Sequence, residues 1–188
     1  MGTSGNKKKS IEKGSASKVE VKFCRHSFVV KTSIVLPSDT NNYGTLFGGK
    51  LMAYIDDVAA ISAIRHARAH VVTASTDSVD FLHPIYEGNS VCLEAFVTYT
   101  GRTSMEVFVK VIAEDLLNGN RNVCALSFLT MVAVDEHNRP TPVPKVIPES
   151  ETEKMLNDSA LKRAAIRKKR KEDTESMAAA FGTDYPWL

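Results

Sequence analysis

Residues 44–67, GTLFGGKLMAYIDDVAAISAIRHA, open on a glycine pair and then run apolar for roughly five helical turns, with Asp56 and Asp57 in the middle. A helix so apolar has to be covered around much of its circumference. The sequence after it supplies a cover. VVTASTDSVDFL, SVCLEAFVTYT, TSMEVFVKVIAEDL and NVCALSFLTMVAV all read as strands, and in the third Met105, Val107, Val109 and Val111 alternate onto one face. YEGN, TGR and LNGNR separate them, as turns short enough for antiparallel hairpins. Ahead of the helix, KFCRHSFVVKTSIVL reads as one more strand, stopped by the turn formers of PSDTNNYG. The order strand, long helix, four strands predicts an α+β fold with one antiparallel sheet around one long central helix. One helix covers one face of a sheet, so the other face or an edge is left for self-association.

With 188 residues, 43% of them hydrophobic, the chain can bury one core, which predicts a single domain at 21–138 flanked by tails. Residues 1–20 are Lys, Ser and Gly with little to bury and are expected to be disordered. Residues 139–188 begin with four prolines in NRPTPVPKVIPESE, which has to leave the sheet, and continue as a charged helix and tail. The basic run LKRAAIRKKRK within that helix suits phosphates or RNA in principle, but a solvated helix end is the favoured reading. A formal charge of +2 argues against a nucleic-acid binder overall. Cys24, Cys92 and Cys124 are odd in number and set in apolar runs, as packed, reduced thiols are. No apolar run reaches membrane-spanning length, and polar residues follow the lysine-rich start, so a cytoplasmic protein with no membrane partner is expected.

The two acids separate on a helical wheel. At about 100° per residue, Asp56 shares a face with Gly49, Met52, Ala53, Ala60, Ala63 and Ala67, whereas Asp57 lines up with Lys50 and Arg68. Asp57 therefore reads as solvated or ion-paired. Asp56 stands among small side chains that admit a second backbone or a ligand, where a carboxylate loses water and needs a partner or a chemical task. Gly48 and Gly49 stand where the helix starts, with free N–H groups suited to an oxygen that gains negative charge. Asp56 lies roughly 12 Å farther along the axis at about 1.5 Å per residue, too far for one helix to serve one carbonyl with both groups. Two antiparallel helices across a twofold axis solve this, with the Gly48 and Gly49 amides of one chain facing Asp56 of the other.

LPSDTNNYGTLFGGKLMAYIDD, VTASTDSVDFLHPI and YTGRTSMEVFVKV, in that order, resemble the cytosolic hot-dog-fold acyl-CoA thioesterases, over about Val30 to Val134. The resemblance implies hydrolysis of fatty acyl-CoA to free fatty acid and CoA, in dimers that assemble as trimers of dimers. It implies Asp56 as general base or nucleophile and an amide near Gly48 and Gly49 as oxyanion site. Several relatives carry a catalytic Asn eleven residues before the acid. Thr45 stands there in this chain, which leaves Thr45, Asn41 or Asn42 to position water. Arg102, Thr103 and Ser104 match the turn that contacts CoA, guanidinium being suited to phosphate. Met52 and Phe81 are further candidates for substrate contact, and Ser75, Thr76 and Ser78 for lining the cleft. The Lys and Arg of the C-terminal run are candidates for the CoA adenine end. No metal and no cofactor are expected, His66 reads as a core histidine, and no Gly-x-Ser-x-Gly elbow exists. The alternative is an acyl-CoA sensor that binds without turnover. It would need a DNA-reading module for which the N-terminus is too short.

Overall fold

The computed structural model describes residues 20–183, so nearly all of the expected N-terminal tail lies outside the described residues. In chain order the elements are β1 (Val21–Phe23), β2 (Val29–Ile34), α1 (Gly48–Ala67), β3 (His70–Phe81), β4 (Ser90–Thr100), β5 (Ser104–Glu114), β6 (Arg121–Val134), β7 (Lys145–Ile147) and α2 (Glu151–Phe181). Five strands form an antiparallel sheet in the order β2-β4-β5-β6-β3. The inner residues of β5, Met105, Val107, Val109 and Val111, are completely buried, as their alternation predicts. Against them α1 buries Leu51, Ile55, Val58, Ala59, Ser62, Ala63 and His66. The sheet thus wraps around the helix.

The expected first strand is two short ones. A 3-10 turn, Cys24–Ser27, interrupts it because the Ser27 hydroxyl donates to the Cys24 carbonyl at 2.7 Å and accepts from the Val97 amide at 2.9 Å, docking the turn against β4. YEGN does not close a hairpin. β3 and β4 lie three strand spacings apart, about 14 Å, and residues 82–89 cross that gap under the start of α1. An extended segment of this length reaches about 26 Å, ample for the crossing. The proline-containing segment leaves the main sheet as expected, yet it contributes β7, which pairs in parallel with β1.

α2 starts at a capping box, with Ser150 Oγ accepting from the Glu153 amide and the Glu153 carboxylate from the Ser150 amide. It lies on the outer face of the sheet with Leu156 and Ala160 buried. The solvated reading of its basic run is corrected on one side of the helix. Arg163 makes a two-pronged pair with the buried Glu106 (2.9 and 2.7 Å) and stacks over Phe128 at 4.1 Å, while Arg167 and Arg170 pair with Asp77. The carboxylates that draw them in sit on β3 and β5, far away in sequence. Phe96, Phe108 and Phe128 line up across β4, β5 and β6 beside this contact.

Ile55, 1% exposed, is the largest fully buried aliphatic side chain of α1. Ile55→Ala is expected to destabilise the fold by about 3 kcal/mol, through lost transfer energy and a residual cavity. Urea unfolding at fixed protomer concentration measures this, and a loss below about 1 kcal/mol would contradict the packing described.

Candidate active site

The approach to α1 is a tight turn. Asn41 Oδ1 accepts from the Tyr43 amide at 2.9 Å and the Thr45 amide at 3.3 Å, and the Asn41 amide donates to the Thr45 carbonyl at 2.8 Å. Gly44 closes the turn at φ +70°, a conformation that disfavours a side chain. Asn41 Nδ2 donates to Thr45 Oγ1 at 2.9 Å, so two of the sequence-predicted residues are joined directly, and the exposed Asn42 is not part of the pair. The Phe47 side chain cannot cap the helix. Gly48 and Gly49 N–H groups consequently find no backbone acceptor among the described residues. A Cβ on Gly49 would stand 2.6 Å from Phe47 Cε1, so the aromatic ring lies over the helix start. Gly48 faces the Phe81 ring. Both line a cleft of ≈ 370 Å³ shared with Thr45, Leu51, His83 and Ile85.

Asp56 is not buried in the protomer. It lies on the open face of α1 with Gly49, Met52 and Ala53, all exposed, while Ala60 and Ala67 are half-buried and Ala63 is buried. The wheel is right in direction, but the expected loss of water at Asp56 is not seen in the protomer, where no element among the described residues covers this face. Thr73 Oγ1 donates to Asp56 Oδ1 at 2.7 Å, and Oδ2 has no partner among the described residues. Thr73 is a candidate site residue that sequence reasoning missed. Asp57 pairs with Lys31 at 2.7 Å, as an ion-paired acid should, although its partner is not Lys50, which binds Asp39 at 3.3 Å. No hydrogen bond connects Asp56 to Asn41, Thr45, Gly48 or Gly49.

Thr73 belongs to a row that runs across the sheet through Met131 and Met105 to Thr100. Met105 is therefore about 10 Å from Thr73, and the Gly101–Thr103 turn leads directly into that row. The Arg102 guanidinium is exposed and makes no hydrogen bond or ion pair among the described residues, while the Arg102 and Thr103 carbonyls hold the turn to the Val143 and Ala133 amides. Ser104 opens β5 on the outer side. Phe81 stands at the opposite end of β3 from Thr73, with Gly48 rather than with Asp56. Ser75 does not line the cleft; it bonds Arg170 of α2 on the outer face.

The family described as Thioesterase superfamily matches residues 43–119, the stretch that carries α1, β3, β4 and β5. The chain is 60% identical over 168 residues to the uncharacterized acyl-CoA thioester hydrolase YkhA of Bacillus subtilis, spanning 89% of this chain and 98% of that protein. A hexameric apo acyl-CoA thioesterase superposes with a TM-score of 0.80 at 52% identity, over 81% of this chain and 97% of that one. The acyl-CoA hydrolase of Staphylococcus aureus, solved with butyryl coenzyme A, coenzyme A and coenzyme A disulfide, superposes at 0.83 with 44% identity, over 87% and 99%. That hydrolase has also been solved with an aspartate, an asparagine and a threonine each changed to alanine, spaced 15 residues from asparagine to aspartate and 17 from aspartate to threonine. Asn41, Asp56 and Thr73 have those same separations. The fold is the hot-dog fold of these thioesterases. The chain belongs to the thioesterase superfamily and, within it, to the acyl-CoA thioester hydrolases.

Other reactive groups are buried away from this site. Burial pushes the Cys24 thiol up to about 12, with Glu153 adding to the rise, and raises Cys124 as well, so neither is a thiolate nucleophile. Among the described residues no group of His, Cys, Asp and Glu is arranged to hold a metal ion, and no helix is long and apolar enough to cross a membrane. His66 is fully buried and its Nε2 donates to the Pro144 carbonyl at 2.9 Å, while Nδ1 has no partner. Burial lowers its pKa from the usual 6.5, partly opposed by that hydrogen bond. Below about 6.5 the unfolded chain then takes up a proton that the folded chain refuses, so stability falls as pH falls through this window. His66→Gln keeps a donor for Pro144 and is expected to flatten the part of the stability profile that lies below about pH 6.5. Identical profiles for the two proteins in urea unfolding would remove the linkage.

Proposed function

We propose that this chain hydrolyses fatty acyl-CoA to free fatty acid and CoA, with Asp56 as the reacting acid. What carries the reading is the open face of α1: a carboxylate with one free oxygen, oriented by Thr73, beside an uncovered edge strand. A carbonyl needs its oxyanion donors and its base within about 3 Å, and the helix-start amides are roughly 12 Å from Asp56 in the same chain. The site is therefore composite. Exposed Met52 and Ile64 of α1 lie on this open side of the helix and make an apolar surface on which a second chain seats in antiparallel fashion. Its Gly48 and Gly49 amides then face Asp56. Such dimers assembling further into a hexamer fit the resemblance to the hexameric thioesterase, and the cytoplasm is the compartment where this substrate and these reduced thiols belong.

In the reaction, an oxygen bonds to the thioester carbonyl carbon, the carbonyl oxygen gains charge toward the amides, and the C–S bond then breaks. CoA thiolate is a good leaving group and needs little acid assistance. Asp56 either takes the proton of the attacking water or attacks itself, giving an anhydride that water opens. Thr73 fixes the carboxylate, leaving Oδ2 for the water or the carbon. Asn41, fixed by Thr45 and separated from Asp56 like its staphylococcal counterpart, positions the water. Arg102, with Thr103 and Ser104, takes a CoA phosphate, and the cleft by Phe81 receives acyl chain, with the exposed Met52 as a further contact.

Asp56→Asn is expected to lower kcat about a hundredfold or more in thiol release from an acyl-CoA panel; near-normal turnover would remove the assignment. Solvent ¹⁸O appearing in Asp56 during a single turnover supports the anhydride, and its absence direct attack by water. The composite site has its own test. Phe47 is extended (φ −63°, ψ 127°), as a residue before proline should be, so Gly48→Pro deletes one amide without breaking the helix start. Hybrid dimers of Gly48→Pro and Asp56→Asn chains contain one intact composite site and are expected to regain about half of one wild-type dimer's activity. Inactive hybrids would place the site within one chain.

A further inference from the structure

β3 and β6 do not stay in step. Thr73 opposes Met131, Ser75 opposes Thr130, Thr76 opposes Leu129 and Ser78 opposes Phe128, so Ala74 and Asp77 are each one residue too many on β3. A bulge of this kind reverses the alternation of side chains. Thr73 shares the inner face with buried Met131 and reaches Asp56, whereas Ser75, next but one along the strand, shares the outer face with Thr130. In a regular strand the two would point the same way.

On the outer face Asp77 closes the bulged segment. Its carboxylate, with the side chain only 9% exposed, accepts from Arg167 at 2.7 Å, Arg170 at 2.8 Å, Thr130 at 3.2 Å and the Ser75 hydroxyl. Arg170 also bonds the Asp77 carbonyl at 2.7 Å and Ser75 Oγ at 2.9 Å. Two guanidinium groups of α2 thus hold both ends of Ser75–Asp77 by side chain and by backbone. Arg167 makes one bond to the carboxylate and Arg170 spans the carboxylate and the backbone carbonyl, and partly buried charge-assisted pairs of this sort fix geometry better than exposed ones.

From this geometry we infer that Asp77, clamped by Arg167 and Arg170, is a positioning residue for hydrolysis: the clamp holds the bulged segment of β3 so that the Thr73 hydroxyl stays aimed at Asp56. The inference rests on the proposed roles of Asp56 and Thr73. It gives α2 a part in turnover through β3, without contact to substrate. The second anchor of α2, Arg163 on Glu106, attaches to β5 and does not touch the bulge.

The test is a double-mutant cycle in acyl-CoA hydrolysis, with Thr73→Val, Asp77→Asn, the double variant, and Glu106→Gln as a control that loosens α2 elsewhere. Asp77→Asn is expected to lower kcat about tenfold with KM changed by less than about twofold, since small misplacements near reacting groups carry effects of this size. The double variant should be no slower than Thr73→Val alone. Glu106→Gln should lower thermal stability and leave kcat unchanged. If Thr73→Val slows turnover but Asp77→Asn does not, the clamp is refuted and the role of Thr73 stands. Additive losses, or an equal kcat loss from Glu106→Gln, refute it as well, because α2 would then act by general stability. If Thr73→Val itself leaves kcat intact, the role of Thr73 fails and the clamp fails with it.

Discussion

The burial of one stripe of α1 in the concave face of the sheet sets nearly everything else. Leu51, Ile55, Val58, Ala59, Ser62 and His66 occupy that stripe, and the helical repeat then leaves no freedom over where the intervening residues go. Asp56, next to Ile55, is turned outward to the face that the sheet does not reach. The same geometry leaves β3 as the edge strand beside it. Core packing within one chain thus produces an acid, a row of small residues and an open strand edge on a single surface, which is why the chemistry proposed for this fold requires a second copy.

The strand order has an equally direct consequence. Because β4 pairs with β2 and β5 rather than with β3, residues 82–89 have to cross the end of the sheet, and the path they take runs under the first turn of α1. Leu46 donates to the Ile85 carbonyl, Thr45 and Tyr86 form a bridge, and Phe81 comes to rest against Gly48. The helix start is therefore fixed by backbone pairing and not by a side-chain cap. Forgoing a cap costs a helix about 1 kcal/mol. Here it leaves two glycine amides without a backbone acceptor, Gly48 at the mouth of a cleft, a local departure from good capping that suits the oxyanion role proposed for them.

Much of this was legible beforehand. The alternation in β4, β5 and β6 was strong enough to place their ends within a residue or two, and the wheel separated Asp56 from Asp57 correctly because a 20-residue helix is long enough for its period to be read. What escaped notice depended on contacts between distant residues. The break at Cys24–Ser27 rests on a hydroxyl meeting Val97, and the docking of α2 rests on carboxylates of β3 and β5. Thr73 looked like any strand threonine, since its partner lies 17 positions earlier on another element. Short turns between strands suggested hairpins throughout, and nothing local in YEGN distinguishes a hairpin turn from the end of a crossover.

The adjacent acids show how position decides role. Asp57 has Lys31 within 2.7 Å, so its charge is already balanced by a neighbour on β2. Asp56 has only a neutral hydroxyl, which orients one oxygen without supplying a countercharge. In the free protomer water provides the remaining solvation. If a second chain covers that face as proposed, with Met52 and Ile64 of its own, much of that water has to leave, and the unpaired carboxylate oxygen is left facing the helix-start amides and whatever carbonyl enters between them. Dimer formation would then do two things at once: it completes the donor set, and it removes the solvent that would otherwise compete with the substrate for both groups.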